Sequence, residues 1–171
     1  MLALAANDAF GAEPPVLTGA EIQAAFIYNF TKFVEWPADT FTSKTQPIVI
    51  AVLGTSGLAN ELATIVEGRK VNGRPIIVRI VTDGSDLAPA QVLFVGEVED
   101  ARFAALEPLL GGAPILTVGE SAAFAAAGGA FRFVQHEGKL RFEINMTSVE
   151  NHGLKVSGEL QKLATVVRRE P

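Results

Sequence analysis

The stretch from Ala24 to Pro37, AAFIYNFTKFVEWP, decides how the rest of the sequence is interpreted. It carries an aromatic side chain in every helical turn, and these residues are Phe26, Tyr28, Phe30, Phe33 and Trp36. A helix with this pattern is apolar around most of its circumference, so other parts of the protein must cover it. Pro37 cannot donate a backbone N–H and restricts the residue before it, so we expect Trp36 to leave the helix in an extended conformation.

The polar side chains of this segment follow one edge of the predicted helix. Spacings of seven, four and three residues stack along that edge Glu21, Tyr28, Lys32 and Glu35. Asn29 borders the same edge. One interpretation is a core helix in which Trp36 fills a corner. The other is a binding surface formed by the Trp36 corner together with Asn29, Lys32 and Glu35.

Composition excludes several classes of function. The 171 residues have the length of one ordinary domain, and 49% of them are hydrophobic against 19% charged, which predicts a substantial core. A net charge of -5 gives no field that attracts nucleic acid. The absence of cysteine and the presence of only His136 and His152 predict no metal site, and no motif indicates a cofactor. No apolar run approaches the roughly 20 residues that span a bilayer, so we expect no direct membrane insertion.

The N-terminus suggests export. A short run of small and apolar residues is followed by Ala9-Phe10-Gly11, a small-x-small pattern typical of a signal-peptide cleavage site, although no basic segment precedes it. We interpret residues 1–12 as the remnant of a signal peptide or as a disordered terminus, and residues 13–171 as a single domain.

Strand and helix patterns alternate through the middle of the chain. A continuous apolar run at 48–54, IVIAVLG, predicts a strand buried on both faces, and further strands are predicted at 76–81, 91–95 and 114–118. Between and after them, helical patterns cover 57–67, 100–110 and an Ala-rich segment that ends at Gly128-Gly129. This alternation predicts an α/β fold with a doubly wound, mostly parallel sheet of about six strands and helices on both faces.

The last third of the chain has a different pattern. Residues 131–134 and 140–145 alternate between apolar and polar side chains around Glu137-Gly138, which predicts an antiparallel hairpin at the edge of the sheet. A two-residue turn sets Phe133 opposite Phe142, Phe131 opposite Ile144 and Arg132 opposite Glu143. The tail from 154 to 167 is predicted to be a final helix, with an apolar stripe formed by Leu160, Leu163, Ala164 and Val167.

Three blocks of this chain resemble the YfiR-like family of small periplasmic bacterial proteins. The blocks are AAFIYNFTKFVEWPADTF, ILTVGESAAFAAAGGAFRFVQHEGKLRFEIN and GLKVSGELQKLATVV, and the resemblance spans roughly residues 20–167. It implies a periplasmic homodimer that binds the periplasmic sensory domain of an inner-membrane diguanylate cyclase and holds the enzyme inactive. Release would then raise cyclic-di-GMP and favour biofilm formation. Many relatives carry a cysteine near the position of Ala90 and Gln91, so disulfide bracing does not transfer to this chain.

Two groups of polar residues are candidates for a small anionic ligand. Thr55 and Ser56 follow a predicted parallel strand and open a helix, where free N–H groups and hydroxyls can hold an anion. Ordinary helix capping is the alternative. The second group is the polar face of the hairpin, formed by Arg132, Arg141, Glu143 and Asn145. Its two arginines can grip a carboxylate or phosphate, and a solvated salt-bridge face is the alternative.

No motif marks a catalytic residue. Val118-Gly119-Glu120-Ser121-Ala122 lacks the pattern of a nucleophile elbow, and neither histidine has an identifiable partner. The sequence therefore predicts a non-enzymatic regulatory binding protein. A periplasmic small-ligand sensor or solute-binding module is the first alternative, and an uncharacterised hydrolase is the second.

Overall fold

The computed structural model of the protein describes residues 19–54 and 56–169. The helices are α1 (Gly19–Phe33), α2 (Ser56–Val66), α3 (Asp100–Leu110), α4 (Ala122–Ala126), α5 (Met146–Asn151) and α6 (Gly158–Leu163). The strands are β1 (Val34–Glu35), β2 (Ile48–Leu53), β3 (Lys70–Val71), β4 (Arg74–Val81), β5 (Val92–Val95), β6 (Leu116–Gly119), β7 (Phe131–His136), β8 (Lys139–Asn145), β9 (Lys155–Val156) and β10 (Val166–Arg168). The predicted signal-peptide remnant, Thr55 and the Ser56 side chain lie outside this description.

The main sheet confirms the predicted α/β class. Within the described residues it has eight strands in the order β10-β8-β7-β6-β5-β2-β4-β3, two more than expected. Strands β4, β2, β5 and β6 pair in parallel. After β2 the chain adds β4 on one side of β2, and it then adds β5 and β6 on the opposite side of β2. This reversal makes the sheet doubly wound.

Helices cover both faces of the sheet, as the apolar strands predicted. In β2, Ile48, Ile50 and Val52 face one core, and the alternate residues of the strand face the other. The first core packs against α1, α2 and α6, and the second packs against α3 and α4. Phe30 of α1 has no exposed surface, and its ring centroid lies 4.8 Å from that of Phe131 and 5.0 Å from that of Phe142. The aromatic face of α1 is therefore a structural core, as one interpretation expected.

The hairpin has the predicted register. Phe133 pairs with Phe142, and Arg132 pairs with Glu143. The turn is made by Glu137 and Gly138, whose φ values of 52° and 74° suit a two-residue hairpin turn.

The hairpin does not form the edge of the sheet, because the chain returns after α6 to add β10 in parallel beside β8. The prediction that the final helix continues to Val167 is therefore wrong. α6 ends at Leu163, and Ala164 is already extended, with φ -72° and ψ 143°. The β-branched Val166 and Val167 instead pair with Glu143 and Ile144 of β8. Strand pairing overrides the helical spacing of the tail.

The first helix ends earlier than its pattern predicted. α1 stops at Phe33, and the next two residues form β1, which pairs antiparallel with β9. Glu35 lies opposite Lys155 in this small sheet and not on the helical edge with Lys32, so that part of the predicted stripe is wrong. Trp36 leaves the helix as expected and turns toward the end of the main sheet.

Candidate functional site: the Trp36 groove

An open groove lies where the chain leaves α1, at the amino ends of the parallel strands. It has a volume of about 480 Å³, and we call it the Trp36 groove. Its lining consists of Thr31, Lys32, Val34, Glu35, Trp36, Pro37, Ala38, Phe41, Ile48, Asn72 and Arg74. Ile48 and Arg74 are the first residues of β2 and β4, which locates the groove at that end of the sheet.

Trp36 is held in the groove by the backbone at the start of β5. Its indole Nε1–H donates to the carbonyl oxygen of Gln91 at 3.1 Å. Gln91 is itself fixed, because its buried side chain accepts from the Val49 N–H at 2.7 Å and donates to the Pro89 carbonyl at 2.7 Å. The indole is therefore oriented by the sheet while the residue stays partly exposed, which suits a preformed contact residue.

Arg74 is the second oriented side chain. Its guanidinium carbon lies 3.7 Å from the centroid of the Phe41 ring. Its Nη1 donates to the carbonyl oxygens of Ser43 at 2.7 Å and Gln46 at 3.0 Å, which ties the segment before β2 to β4. Stacking and these two hydrogen bonds hold the planar group in one orientation, so little conformational entropy is lost when it binds a partner.

The groove is electropositive on an acidic protein. The charged residues of its lining are Lys32, Glu35 and Arg74, which sum to +1 against a net charge of -5 for the chain. The Lys32 ammonium lies 4.2 Å from the centroid of the Tyr28 ring, and Arg69 lies 5.3 Å from the same centroid. Cations on an aromatic surface favour a partner that combines apolar and acidic groups.

The carboxyl ends of the same strands carry acidic side chains, and another open pocket of about 470 Å³ lies there, lined in part by Glu97, Glu120 and Arg132. The Glu120 carboxylate accepts from the Gln23 side chain and, at 3.2 Å, from the backbone N–H of Glu97. Glu99 packs against Gly54 so closely that a Cβ on Gly54 would lie 2.3 Å from its carboxylate. Since Thr55 and the Ser56 side chain are outside the described chain, the anion site predicted there stays a prediction.

The hairpin arginines already have partners. Arg132 Nη1 lies 3.5 Å from Glu143 Oε2, and Arg168 Nη1 lies 3.7 Å from the same oxygen. Arg141 donates to the carbonyl of Leu140 at 3.4 Å. This arrangement favours the salt-bridge interpretation of the hairpin over an anion grip.

Asn145 does not belong to an open polar face. It is 4% exposed, and its side chain caps α5 by accepting from the Ser148 N–H at 3.2 Å. In the structure this side chain starts a helix, and its role in ligand binding stays a prediction.

A family profile described as YfiR/HmsC-like matches residues 20–165. The chain belongs to the YfiR/HmsC-like family. No curated protein matches its sequence.

Two solved structures resemble this YfiR/HmsC-like protein in fold. A conserved domain protein from Vibrio cholerae O1 biovar El Tor strain N16961 aligns with a TM-score of 0.59 at 13% identity, covering 89% of this chain and 61% of that one. The ABC domain from Streptococcus pneumoniae, solved in complex with L-Trp, aligns with a TM-score of 0.52 at 14% identity, covering 87% and 60%. The chain thus spans about three fifths of either structure. At these identities the likeness shows the fold alone.

In this YfiR/HmsC-like protein, the structure brings together three of the residues predicted around the first helix, Lys32, Glu35 and Trp36. Asn29 is exposed on α1 but does not line the groove. Sequence reasoning missed Phe41 and Arg74. The sequence predicts the turn before Arg74, but the contact of Arg74 with Phe41 depends on tertiary packing.

The two histidines have different environments. His136 is exposed beside the hairpin turn, whereas His152 is 3% exposed with Nδ1 2.6 Å from the Ala113 carbonyl oxygen and Nε2 3.3 Å from Glu107 Oε1. Both nitrogens of His152 are thus engaged, which argues against a catalytic base that substrate can reach. Across residues 19–54 and 56–169, no three His, Cys, Asp or Glu side chains are grouped as metal ligands would be. No helix in these ranges has the length and apolar content needed to cross a bilayer.

Proposed function

We propose that this protein is a non-enzymatic periplasmic repressor that binds the periplasmic sensory domain of an inner-membrane diguanylate cyclase and keeps the cyclase inactive. The observation that carries the proposal is the match to the YfiR/HmsC-like family over residues 20–165. Repression of this kind is a population shift. The protein favours the inactive cyclase only to the extent that it binds the inactive state more tightly than the active one.

The Trp36 groove is the surface that we assign to this contact. Tryptophan and arginine are the residue types that most often dominate binding energy at protein interfaces, and both are oriented in this groove before any partner arrives. Lys32 and Arg74 would complement acidic residues on the sensory domain. The proposal does not require a catalytic group.

The test is the affinity for the purified periplasmic domain of an inner-membrane diguanylate cyclase from the same genome, measured by isothermal titration calorimetry. Trp36→Ala should weaken binding by about 2 kcal/mol, which is roughly 30-fold, because it removes a central aromatic contact. Trp36→Phe keeps an aromatic ring and should lose less. Circular dichroism should show that both variants stay folded.

Arg132→Ala is the matched control, since it changes a large side chain at the opposite end of the sheet. Its affinity for the sensory domain should stay within about twofold of the unmodified protein. Unchanged binding by Trp36→Ala would remove this residue from the interface, and absence of binding by the unmodified protein would contradict the proposed function itself.

We also propose that the protein is a periplasmic homodimer, as its family implies. Fractionation of cells should recover it with periplasmic markers. Light scattering coupled to size-exclusion chromatography should give twice the mass of the 18.1 kDa chain. Recovery in the cytoplasm would contradict the periplasmic location. A monomeric mass at micromolar concentration would contradict the homodimer.

A small-ligand sensor is the second candidate, and the size of the Trp36 groove favours it. Its volume of about 480 Å³ falls in the range of roughly 300–1,000 Å³ typical of ligand pockets. Arg74 and Lys32 would select an anionic ligand with an apolar body. A thermal-shift screen of carboxylates and nucleotides tests this candidate, which requires stabilisation that Arg74→Ala abolishes.

A further inference from the structure

A second cleft lies between α3, α4 and α5, and it shares no lining residue with the Trp36 groove. It has a volume of about 210 Å³, and we call it the α5 cleft. Its lining consists of Glu107, Ala125, Ala126, Gly128, Asn145, Thr147, Ser148 and Asn151. The three small residues on the α4 side leave room opposite the polar side chains of α5.

Glu107 gives the α5 cleft its charge, since it is the charged residue of that lining. Its Oε1 lies 3.3 Å from Nε2 of the buried His152. A carbonyl oxygen can only accept, so the 2.6 Å contact with the Ala113 carbonyl requires that His152 carry a proton on Nδ1. The imidazole is thereby fixed beside Glu107 at the wall of the cleft. A neutral imidazole that carries its proton on Nδ1 has none on Nε2 to donate, so it leaves the charge of the carboxylate in place.

Ser148 supplies an independent observation. The residue is 5% exposed and lines the cleft, and its hydroxyl has no hydrogen-bond partner within the described chain. Leaving a buried hydroxyl unpaired costs about 1–3 kcal/mol, so such a group needs an explanation. Because Ser148 lines the cleft, a molecule bound there is one explanation for the unpaired hydroxyl.

We propose that the α5 cleft binds a small polar molecule that carries a primary ammonium group. The ammonium would pair with Glu107, and a hydroxyl of the same molecule would satisfy Ser148. The amide of Asn151 offers a further donor and acceptor at the rim. The cleft is smaller than the pockets of drug-sized ligands, so its size selects a molecule no larger than an amino sugar.

The experiment titrates the full chain with two amines, ethanolamine and D-glucosamine, and follows backbone amide signals by NMR. Ethylene glycol and D-glucose, which lack the ammonium group, are the matched controls. We expect saturable shifts confined to residues around Glu107 and Ser148 for at least one amine, with at least tenfold weaker effects from its control. No saturable binding of either amine, or equal binding of the controls, would overturn the proposal.

Two variants test the residues. Glu107→Gln should weaken amine binding at least tenfold, because it removes the charge. Ser148→Ala should raise the melting temperature of the free protein by a few degrees, since it removes an unpaired buried hydroxyl, and should weaken amine binding about fivefold.

If Ser148 had only a structural role, its replacement by alanine would not both raise the melting temperature and weaken amine binding. Amine affinity unchanged in Ser148→Ala would overturn the assignment of its hydroxyl to the ligand. Binding of the cyclase domain should be unchanged in Ser148→Ala, so this test does not depend on the proposed function.

Discussion

The two ends of the parallel sheet differ in what occupies them. In open α/β sheets, ligands usually bind beyond the carboxyl ends of the strands. Here that end holds the carboxylates of Glu97, Glu99 and Glu120, whereas the amino end opens into the aromatic and electropositive Trp36 groove. The difference teaches that topology defines where a crevice can form, and that the side chains of the connecting segments decide the charge of each end.

Close packing fills the space between α4 and the carboxyl end of β6. A Cβ on Gly119 would lie 2.3 Å from the Phe124 ring, and one on Gly129 would lie 2.1 Å from it. The ring, which has no exposed surface, fits against these two glycines and brings α4 onto the end of β6. A ligand would have to displace this core side chain to enter between α4 and the end of β6.

The largest expected effect comes from disturbing the packing of Phe124 against the end of β6. Gly119→Ala should destabilise the protein by about 3 kcal/mol, because the new methyl overlaps a ring that close packing holds in place. Urea denaturation followed by circular dichroism measures the change. Gly57→Ala is the matched control, since a Cβ on Gly57 in α2 meets nothing within 4 Å, and it should be neutral or slightly stabilising. Equal stability of both variants would show that the Phe124 ring can move aside without cost.

A smaller effect is expected from disturbing the open end. Arg74→Ala should weaken binding of the cyclase sensory domain by about 1.4 kcal/mol, or tenfold, because it removes an oriented cation. Arg74→Lys keeps the charge but loses the planar stacking on Phe41, so it should restore only part of the affinity. Surface plasmon resonance measures both variants. Full affinity in Arg74→Ala would mean that the charge of the groove does not contribute to recognition.

The smallest expected effect concerns Asp83, which lies just beyond the carboxyl end of β4. The hydroxyl of Ser85 donates to its carboxylate, and the backbone N–H of Ser85 does so at 2.8 Å; together they lower the pKa of Asp83 below its ordinary value of 3.8. The resulting stabilisation is present above the ordinary pKa and is lost as the pH falls through the lowered one.

Carboxyl carbon NMR titration measures this pKa directly. Ser85→Ala should raise the pKa of Asp83 toward its ordinary value, because the largest contribution comes from the Ser85 hydroxyl. Glu159, an exposed carboxylate in the first turn of α6, provides an internal reference in the same spectra. A pKa of Asp83 that does not respond to Ser85→Ala would contradict the assigned cause.

Periodicity predicted the parts of the fold in which local pattern and tertiary packing agree. The alternation around Glu137-Gly138 gave the correct hairpin register, because a two-residue turn leaves one pairing that keeps both faces consistent. Val167 was assigned to a helix because its spacing matched a helical stripe, and pairing with β8 overrode that pattern. Local spacing does not show which strand a tail will meet.

The candidate site was predictable only in part, for a related reason. Trp36 was singled out because Pro37 forces the chain out of the helix beside an aromatic residue. Phe41 and Arg74 are 33 residues apart in sequence and meet only because the segment before β2 folds back over the start of β4. No pattern within one segment indicates such a contact.

The central claim is that partner recognition occurs at the amino end of the sheet and not at the carboxyl end. Hydrogen exchange of the protein, with and without the cyclase sensory domain, tests it most directly. The account predicts added protection in residues 31–41 and 70–74, with residues 96–100 and 119–121 unchanged. Protection confined to the carboxyl-end segments, with the Trp36 groove exchanging as in the free protein, would contradict it.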